Sequence, residues 1–179
     1  MERLINYFIP ENYQLELRVN KHTEEVQGHV VISGHAQKSK LKLHSRDLKI
    51  SKILINQKPV DFVLDSDNQL LIVDSIEAKQ ATIDIRYTFK LSHSMIGMYL
   101  STYRYQDREE LIVSTQFESH YARMMFPCVD EPEAKATFDL KIIDTDIEDT
   151  ILSNMPVQSE RILTYTSVNA DLNPKEDAN

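Results

Sequence analysis

Hydrophobic and polar residues alternate along most of this sequence. The pattern is clearest at Ile83, Ile85, Tyr87, Phe89 and Leu91, where every second residue is apolar. Because successive side chains of a strand point to opposite faces, such alternation predicts a β-strand with one buried face. By the same criterion we predict strands at residues 13–19, 26–32, 41–44, 48–55, 60–64, 70–73, 83–91, 111–114, 137–143 and 162–168.

Turn-forming residues separate the predicted strands at short intervals, as at residues 56–59 and 65–68. Many short strands at such spacing predict an all-β fold, a mostly antiparallel sandwich or saddle-shaped sheet, rather than βαβ units. Helical pattern is limited to residues 119–125, with a further turn near residues 132–135. We therefore expect one all-β domain over residues 1–169 with one or two short helical turns, followed by a polar tail over residues 170–179.

Composition narrows the class of protein. Of the 179 residues, 41% are hydrophobic and 27% are charged, which is typical of a soluble globular domain. The net charge of −8 argues against a nucleic-acid partner, since binding to phosphates needs an excess of Lys and Arg. The longest apolar runs, such as residues 70–73, are too short to span a bilayer, so we expect no membrane partner. With one cysteine and no visible secretory signal, we predict a cytoplasmic protein in which Cys128 is a half-buried structural thiol.

The sequence contains none of the common motifs of a self-contained catalytic site. The three glycines cannot supply a G-x-G-x-x-G motif or a P-loop, and no G-x-S-x-G nucleophile motif occurs. No two of the six histidines have the i, i+4 spacing of an H-E-x-x-H zinc site. We therefore predict no catalytic residue and no metal ligand in this chain.

A series of short motifs in the second half of the chain is more specific. In order, they are Gly97-Met98-Tyr99-Leu100-Ser101-Thr102-Tyr103, Thr115-Gln116-Phe117-Glu118, Ala122-Arg123, Phe126-Pro127-Cys128-Val129-Asp130-Glu131-Pro132, Lys135-Ala136-Thr137-Phe138 and Leu152-Ser153-Asn154-Met155-Pro156. Together with Pro10, Tyr13 and Leu15 near the start, this series closely resembles the M1 (aminopeptidase N-like) family of zinc aminopeptidases, of bacterial type, over about residues 5–157. Each motif alone is weak, but the ordered set is very specific.

The resemblance implies that residues 1–169 form the N-terminal β domain of a hydrolase that removes N-terminal residues from peptides. In the family a thermolysin-like catalytic domain follows and carries the zinc ligands, and those motifs do not occur in this chain. The resemblance thus implies that zinc is the cofactor of a parent enzyme. It implies that the partner of this domain is the catalytic domain of the same parent chain. It also implies that the β domain is truncated before its last strand. We expect the isolated chain to be inactive and to self-associate through its exposed apolar face.

By the same resemblance, Gln116 and Glu118 reach into the substrate cleft and hold the N-terminus of the peptide. An aminopeptidase must recognise a free α-ammonium group, which an amide oxygen and a carboxylate can bind through charge-assisted hydrogen bonds. A spacing of two in a strand places both side chains on the same face. Alternation alone favours a plainer interpretation, two exposed polar residues flanking a buried Phe117; the surrounding motifs favour the functional one.

Other residues of these motifs indicate structural roles. Arg123 is expected to pair with Asp130 and Glu131, and so to hold the loop that carries the candidate site. Phe138 and Leu140 alternate with polar residues and are expected in the core.

A second hypothesis, from another class of protein, predicts the same fold. It is a non-catalytic β-sandwich module that binds peptide or protein. An H-E-x-x-H motif further along the gene would distinguish the two hypotheses.

Overall fold

The computed structural model describes residues 2–74, 76, 79–144, 146 and 149–162. The chain divides into two units, Met1–Thr145 and Asp146–Asn179. The described part of the second unit, residues 146 and 149–162, contains no helix or strand. Except for residue 162, the predicted strand at 162–168 and the predicted tail at 170–179 lie outside the described residues.

Strands dominate the first unit. Its described residues hold eleven of them, together with two short 3₁₀ turns at Leu4–Asn6 and Ala122–Met124. The strands are β1 (Phe8–Asn20), β2 (Glu25–Ala36), β3 (Leu41–His44), β4 (Lys49–Ile55), β5 (Lys58–Pro59), β6 (Val63–Asp65), β7 (Leu70–Val73), β8 (Gln80–Lys90), β9 (Gly97–Tyr105), β10 (Arg108–Gln116) and β11 (Thr137–Asp144). Among the described residues, no helix has the length and apolar character needed to cross a membrane.

The strands form three sheets. The largest has six strands in the order β11-β1-β2-β8-β4-β5, and only its β1–β11 pair is parallel. A three-stranded sheet has the order β3-β7-β6, and β9 and β10 form an antiparallel pair. The all-β, mostly antiparallel prediction is therefore confirmed.

Alternate residues of the long strands are buried, as the period of two requires. The fully buried side chains include Phe8, Leu17, Val26, Ile32, Ile53, Ile83, Ile85 and Tyr87 of the six-stranded sheet, and Leu41, Leu43 and Leu71 of the three-stranded sheet. Gly28 is opposite Tyr87 in the β2–β8 register, and a Cβ atom on Gly28 would lie 2.2 Å from the Tyr87 ring. The glycine thus leaves room for an aromatic ring in the core.

Several predicted elements differ from the observed ones. The sequence pattern missed β9, because burial falls steadily along this strand instead of alternating. Only the single 3₁₀ turn Ala122–Met124 forms within the predicted helical stretch 119–125. The predicted strand at 60–64 overlaps β6 in its last two residues only, and β5 ends just before it. Periodicity identifies strands whose apolar and polar residues alternate, and β9 has no such alternation.

Three predictions about burial are wrong. Phe138 and Leu140 are 55% and 48% exposed, because β11 is the last strand of its sheet among the described residues. The Phe138 ring contacts the rings of Tyr13 and Phe126, and these contacts leave more than half of the residue exposed. Cys128 is buried rather than half-buried, since its backbone N–H and C=O pair with those of His44 on β3. Burial raises the pKa of the Cys128 thiol well above its usual value.

Candidate functional site

Gln116 is the last residue of β10, where it is opposite Gly97 of β9. Glu118 follows two residues later, just beyond the end of the strand. Both side chains are exposed, whereas Phe117 between them is partly buried and packs against the core. The structure therefore brings an amide and a carboxylate to the surface on either side of an apolar anchor.

The chain after Glu118 turns back on itself. The Tyr121 N–H donates to the Phe117 carbonyl oxygen at 2.9 Å, and the 3₁₀ turn Ala122–Met124 follows directly. The peptide bond between Glu118 and Ser119 is cis. We refer to residues 116–131 as the site loop.

An ion pair holds the middle of the site loop. Arg123 Nε lies 2.9 Å from Asp130 Oδ2, and both side chains are about 12% exposed. The Arg123 backbone N–H also donates to Asp130 Oδ2 at 3.4 Å, and Arg123 Nη1 donates to Gln69 Oε1 at 3.4 Å. Because this pair is shielded from water and has several hydrogen bonds, it holds the loop more firmly than an exposed pair would. The predicted Arg123–Asp130 contact is confirmed.

Glu131 does not complete that pair as predicted. Its carboxylate instead accepts hydrogen bonds from the backbone N–H groups of Leu4, at 2.5 Å, and Ile5, at 3.4 Å. Arg3 Nε lies 3.8 Å from the same carboxylate. Glu131 therefore ties the end of the site loop to the first 3₁₀ turn, whose free N–H groups attract an acceptor.

His44 provides a third anchor that the sequence gave no reason to expect. The Asp130 backbone N–H donates to His44 Nδ1 at 3.1 Å, across 86 positions in the chain. Burial, reinforced by the nearby Arg123 guanidinium, lowers the pKa of His44 from 6.5 to about 4. The ring is therefore neutral at pH 7, as an Nδ1 acceptor must be.

The part of the chain that the structure describes holds no group of three or more His, Cys, Asp or Glu residues that could bind a metal ion. These residues therefore do not fit a zinc site, and any metal would need ligands from elsewhere. What the site loop offers is one exposed amide and one exposed carboxylate on an anchored backbone. Such a pair can accept hydrogen bonds from a cationic amine.

The chain is similar to known proteins over most of its length. Residues 9–172 match the Peptidase M1 N-terminal domain family. The chain is 42% identical over 168 residues to aminopeptidase N of Lactococcus lactis subsp. lactis, an alignment that covers 93% of this chain and 20% of the relative. Mouse endoplasmic reticulum aminopeptidase 1 is 35% identical over 170 residues, covering 87% of this chain and 18% of the relative.

The fold and the site together define an all-β domain that presents polar side chains on an anchored loop. The chain belongs to the Peptidase M1 N-terminal domain family. It spans about a fifth of the length of the bacterial aminopeptidase N relatives that it matches.

Proposed function

We propose that this chain is the N-terminal β domain of a zinc aminopeptidase that removes N-terminal residues from peptides. Gln116 and Glu118 anchor the α-ammonium group of the substrate, and the zinc ligands belong to a catalytic domain further along the parent chain. The proposal rests on membership of the M1 family and on the long relatives named aminopeptidase. A cytoplasmic location suits the single cysteine, whose buried thiol needs no oxidised partner.

One structural observation carries the anchoring role. Gln116 and Glu118 are exposed, yet the loop between and after them is held by Phe117 and by the Arg123–Asp130 pair. Polar side chains on a fixed backbone can bind a ligand with little loss of conformational entropy, which is the requirement for a binding site.

Kinetics of the longer enzyme test this role. We expect Glu118→Gln to lower kcat/KM for aminoacyl substrates by roughly tenfold to a hundredfold, because it removes the charge from a charge-assisted hydrogen bond. The matched control is Glu109→Gln, which changes an exposed carboxylate on β10, the strand that leads to Glu118, and should behave as the wild type. Equal kcat/KM values for wild type and Glu118→Gln would refute the anchoring role.

An activity assay of the 179-residue chain alone tests whether catalysis requires the proposed catalytic domain. We expect no hydrolysis of aminoacyl chromogenic substrates with added zinc, because no metal-binding group exists among the described residues. Zinc-dependent turnover by the purified chain would refute this part of the proposal. The alternative, a peptide-binding module without catalysis, would be supported if the longer protein also proved inactive yet bound peptide.

A further inference from the structure

Gly97 lies where the two ends of the candidate site meet. It is the first residue of β9 and is opposite Gln116, the last residue of β10, in the antiparallel register. The chain that continues from Gln116 carries Glu118 and then forms the 3₁₀ turn Ala122–Met124, whose last residue packs against the same glycine. Gly97 therefore contacts the chain on both sides of Glu118.

The Met124 side chain occupies the space that a side chain at position 97 would need. A Cβ atom on Gly97 would lie 3.0 Å from the Met124 Cβ atom, 3.6 Å from its Sδ atom and 3.8 Å from its Cε atom. Carbon atoms attract each other best at about 3.5–4.0 Å, so the shortest of these contacts is too close. Any larger residue would push the turn and β9 apart by a few tenths of an ångström. The glycine thus sets how closely the turn approaches the strand.

The backbone at Gly97 is suited to glycine as well. Its φ angle is +67°, in the left-handed region where a Cβ atom is crowded by a neighbouring carbonyl oxygen. Two hydrogen bonds close the loop that contains it, from the Ser92 N–H to the Met98 carbonyl oxygen at 3.0 Å and from the Leu100 N–H to the Ser92 carbonyl oxygen at 2.9 Å. These bonds hold the start of β9 in place. Met124, by contrast, is only partly buried, so crowding at Gly97 would displace the turn.

We propose, building on the proposed function of Gln116 and Glu118, that Gly97 is a positioning residue for this pair. Gln116 is held by its place opposite Gly97, and the backbone beyond Glu118 is held by the contact of Met124 with the same glycine. Two acceptors can hold one ammonium group only at a set separation, since each hydrogen bond must be about 3 Å long. A side chain at position 97 would change that separation.

A structural role for Gly97 is the alternative. It predicts that a side chain at position 97 lowers the stability of the domain and affects catalysis only through the fraction of enzyme that is folded. The positioning role predicts a kinetic loss that depends on the presence of Gln116 and Glu118. The two roles therefore differ in a double-mutant cycle.

Kinetics of the longer enzyme provide that cycle. We expect Gly97→Ala to lower kcat/KM for aminoacyl substrates by about tenfold, because displaced binding groups no longer align the substrate for reaction. In the Gln116→Ala background the same substitution should lower kcat/KM by less than about twofold, since the pair is already broken. Ile53→Val, in the core at β4, is the matched control, which should lower stability and leave kcat/KM unchanged.

A second variant separates crowding from backbone strain. Asn adopts positive φ angles more readily than most residues with a side chain, so Gly97→Asn should fold even if Gly97→Ala does not. It still places a Cβ atom against Met124, and it should lower kcat/KM as Gly97→Ala does. A Gly97→Asn enzyme with wild-type kcat/KM would overturn the positioning role.

Hydrogen exchange of the 179-residue chain shows whether the turn stays closed, without any substrate. The Tyr121 N–H donates to the Phe117 carbonyl oxygen at 2.9 Å, and the Met124 N–H donates to the Tyr121 carbonyl oxygen at 3.1 Å. Both amides should exchange roughly tenfold faster in Gly97→Ala, a larger change than in the amides of β2 and β8. Ile53→Val should show the reverse order, because it weakens the core and leaves the turn alone.

Equal losses of kcat/KM from Gly97→Ala in the wild-type and Gln116→Ala backgrounds would show that Gly97 acts on the fold and not through the pair. Unchanged exchange at Tyr121 and Met124 would show that the turn does not depend on Gly97. Either result overturns the positioning role and leaves the anchoring role intact. A Gln116→Ala enzyme with wild-type kcat/KM would instead refute the anchoring role of Gln116, and the positioning role would fall with it.

Discussion

The central strands β2 and β8 and the site loop, residues 116–131, are held in place by different interactions. β2 and β8 pair along eleven positions, and their inward side chains pack into one continuous core. The site loop forms no extended ladder and depends on a few polar contacts, from Arg123, Glu131 and His44. Its two candidate binding residues make no such contact. The comparison indicates that packing determines stability in the strands, whereas single hydrogen bonds determine the shape of the loop.

Enlarging Gly28 should have the largest effect on stability. A Cβ atom there would lie 2.2 Å from the ring of Tyr87, which is buried in the core. We expect Gly28→Val to lower the free energy of unfolding by at least about 3 kcal/mol, since overpacking strains a close-packed core. Urea unfolding followed by circular dichroism measures the change.

A double-mutant cycle with Tyr87→Leu identifies the cause. Removing the ring frees the space beside Gly28, so the cost of Gly28→Val should fall markedly in the Tyr87→Leu background. Equal costs in the two backgrounds would show that the glycine is required for a reason other than the Tyr87 ring.

Breaking the Arg123–Asp130 pair should have the next largest effect. Arg123→Gln leaves the Asp130 carboxylate shielded from water without its main partner, and we expect a loss of about 2–3 kcal/mol. The matched control is Arg104→Gln, because the Arg104–Asp107 pair is almost fully exposed and should contribute little. Chemical denaturation of both variants checks the difference. Similar losses would contradict the claim that burial makes the loop pair stronger.

Acid should weaken the site loop through His44. Its pKa is about 4 in the folded protein and about 6.5 in the unfolded chain, so the unfolded chain binds the proton more tightly. Asp130 and Glu131 face the ring and oppose this shift, while burial and Arg123 cause it. The stability contribution is therefore complete above about pH 6.5 and is lost as the pH falls toward 4.

Because the His44 ring is partly open to solvent, which screens its charge, we expect the loss to be on the order of 1–2 kcal/mol. Unfolding free energies measured across this pH range give the change. His44→Asn is the control, since its side-chain oxygen can still accept from the Asp130 N–H but cannot take up a proton near neutral pH. The pH dependence should be flatter in this variant, and an unchanged slope would assign the loss to other groups.

The strands of the core could be predicted from the sequence, whereas most contacts of the site loop could not. Strands such as β1, β2 and β8 alternate cleanly because one face of each is buried, and their existence was predicted correctly. The strand β9 escaped prediction because it runs out from the core into solvent. Gln116 and Glu118 could be named from the ordered motifs. The hydrogen bond from Asp130 to His44 could not be predicted, because it joins positions 86 apart that only the folded sheet brings together.

Substitutions at Gln116 and Glu118 should have the smallest effect on stability. Both side chains are exposed, and neither takes part in the hydrogen bonds or ion pairs that hold the site loop. We expect Gln116→Ala and Glu118→Gln each to change the free energy of unfolding by less than about 0.5 kcal/mol, as is usual for surface positions. Phe117→Ala, on the partly buried residue between them, is the matched contrast and should cost clearly more, because it removes apolar contact with the core. Thermal melting of the three variants makes the measurement. A large loss in Gln116→Ala or Glu118→Gln would mean that these side chains support the loop, and their exposure could then no longer be taken as a sign of ligand binding.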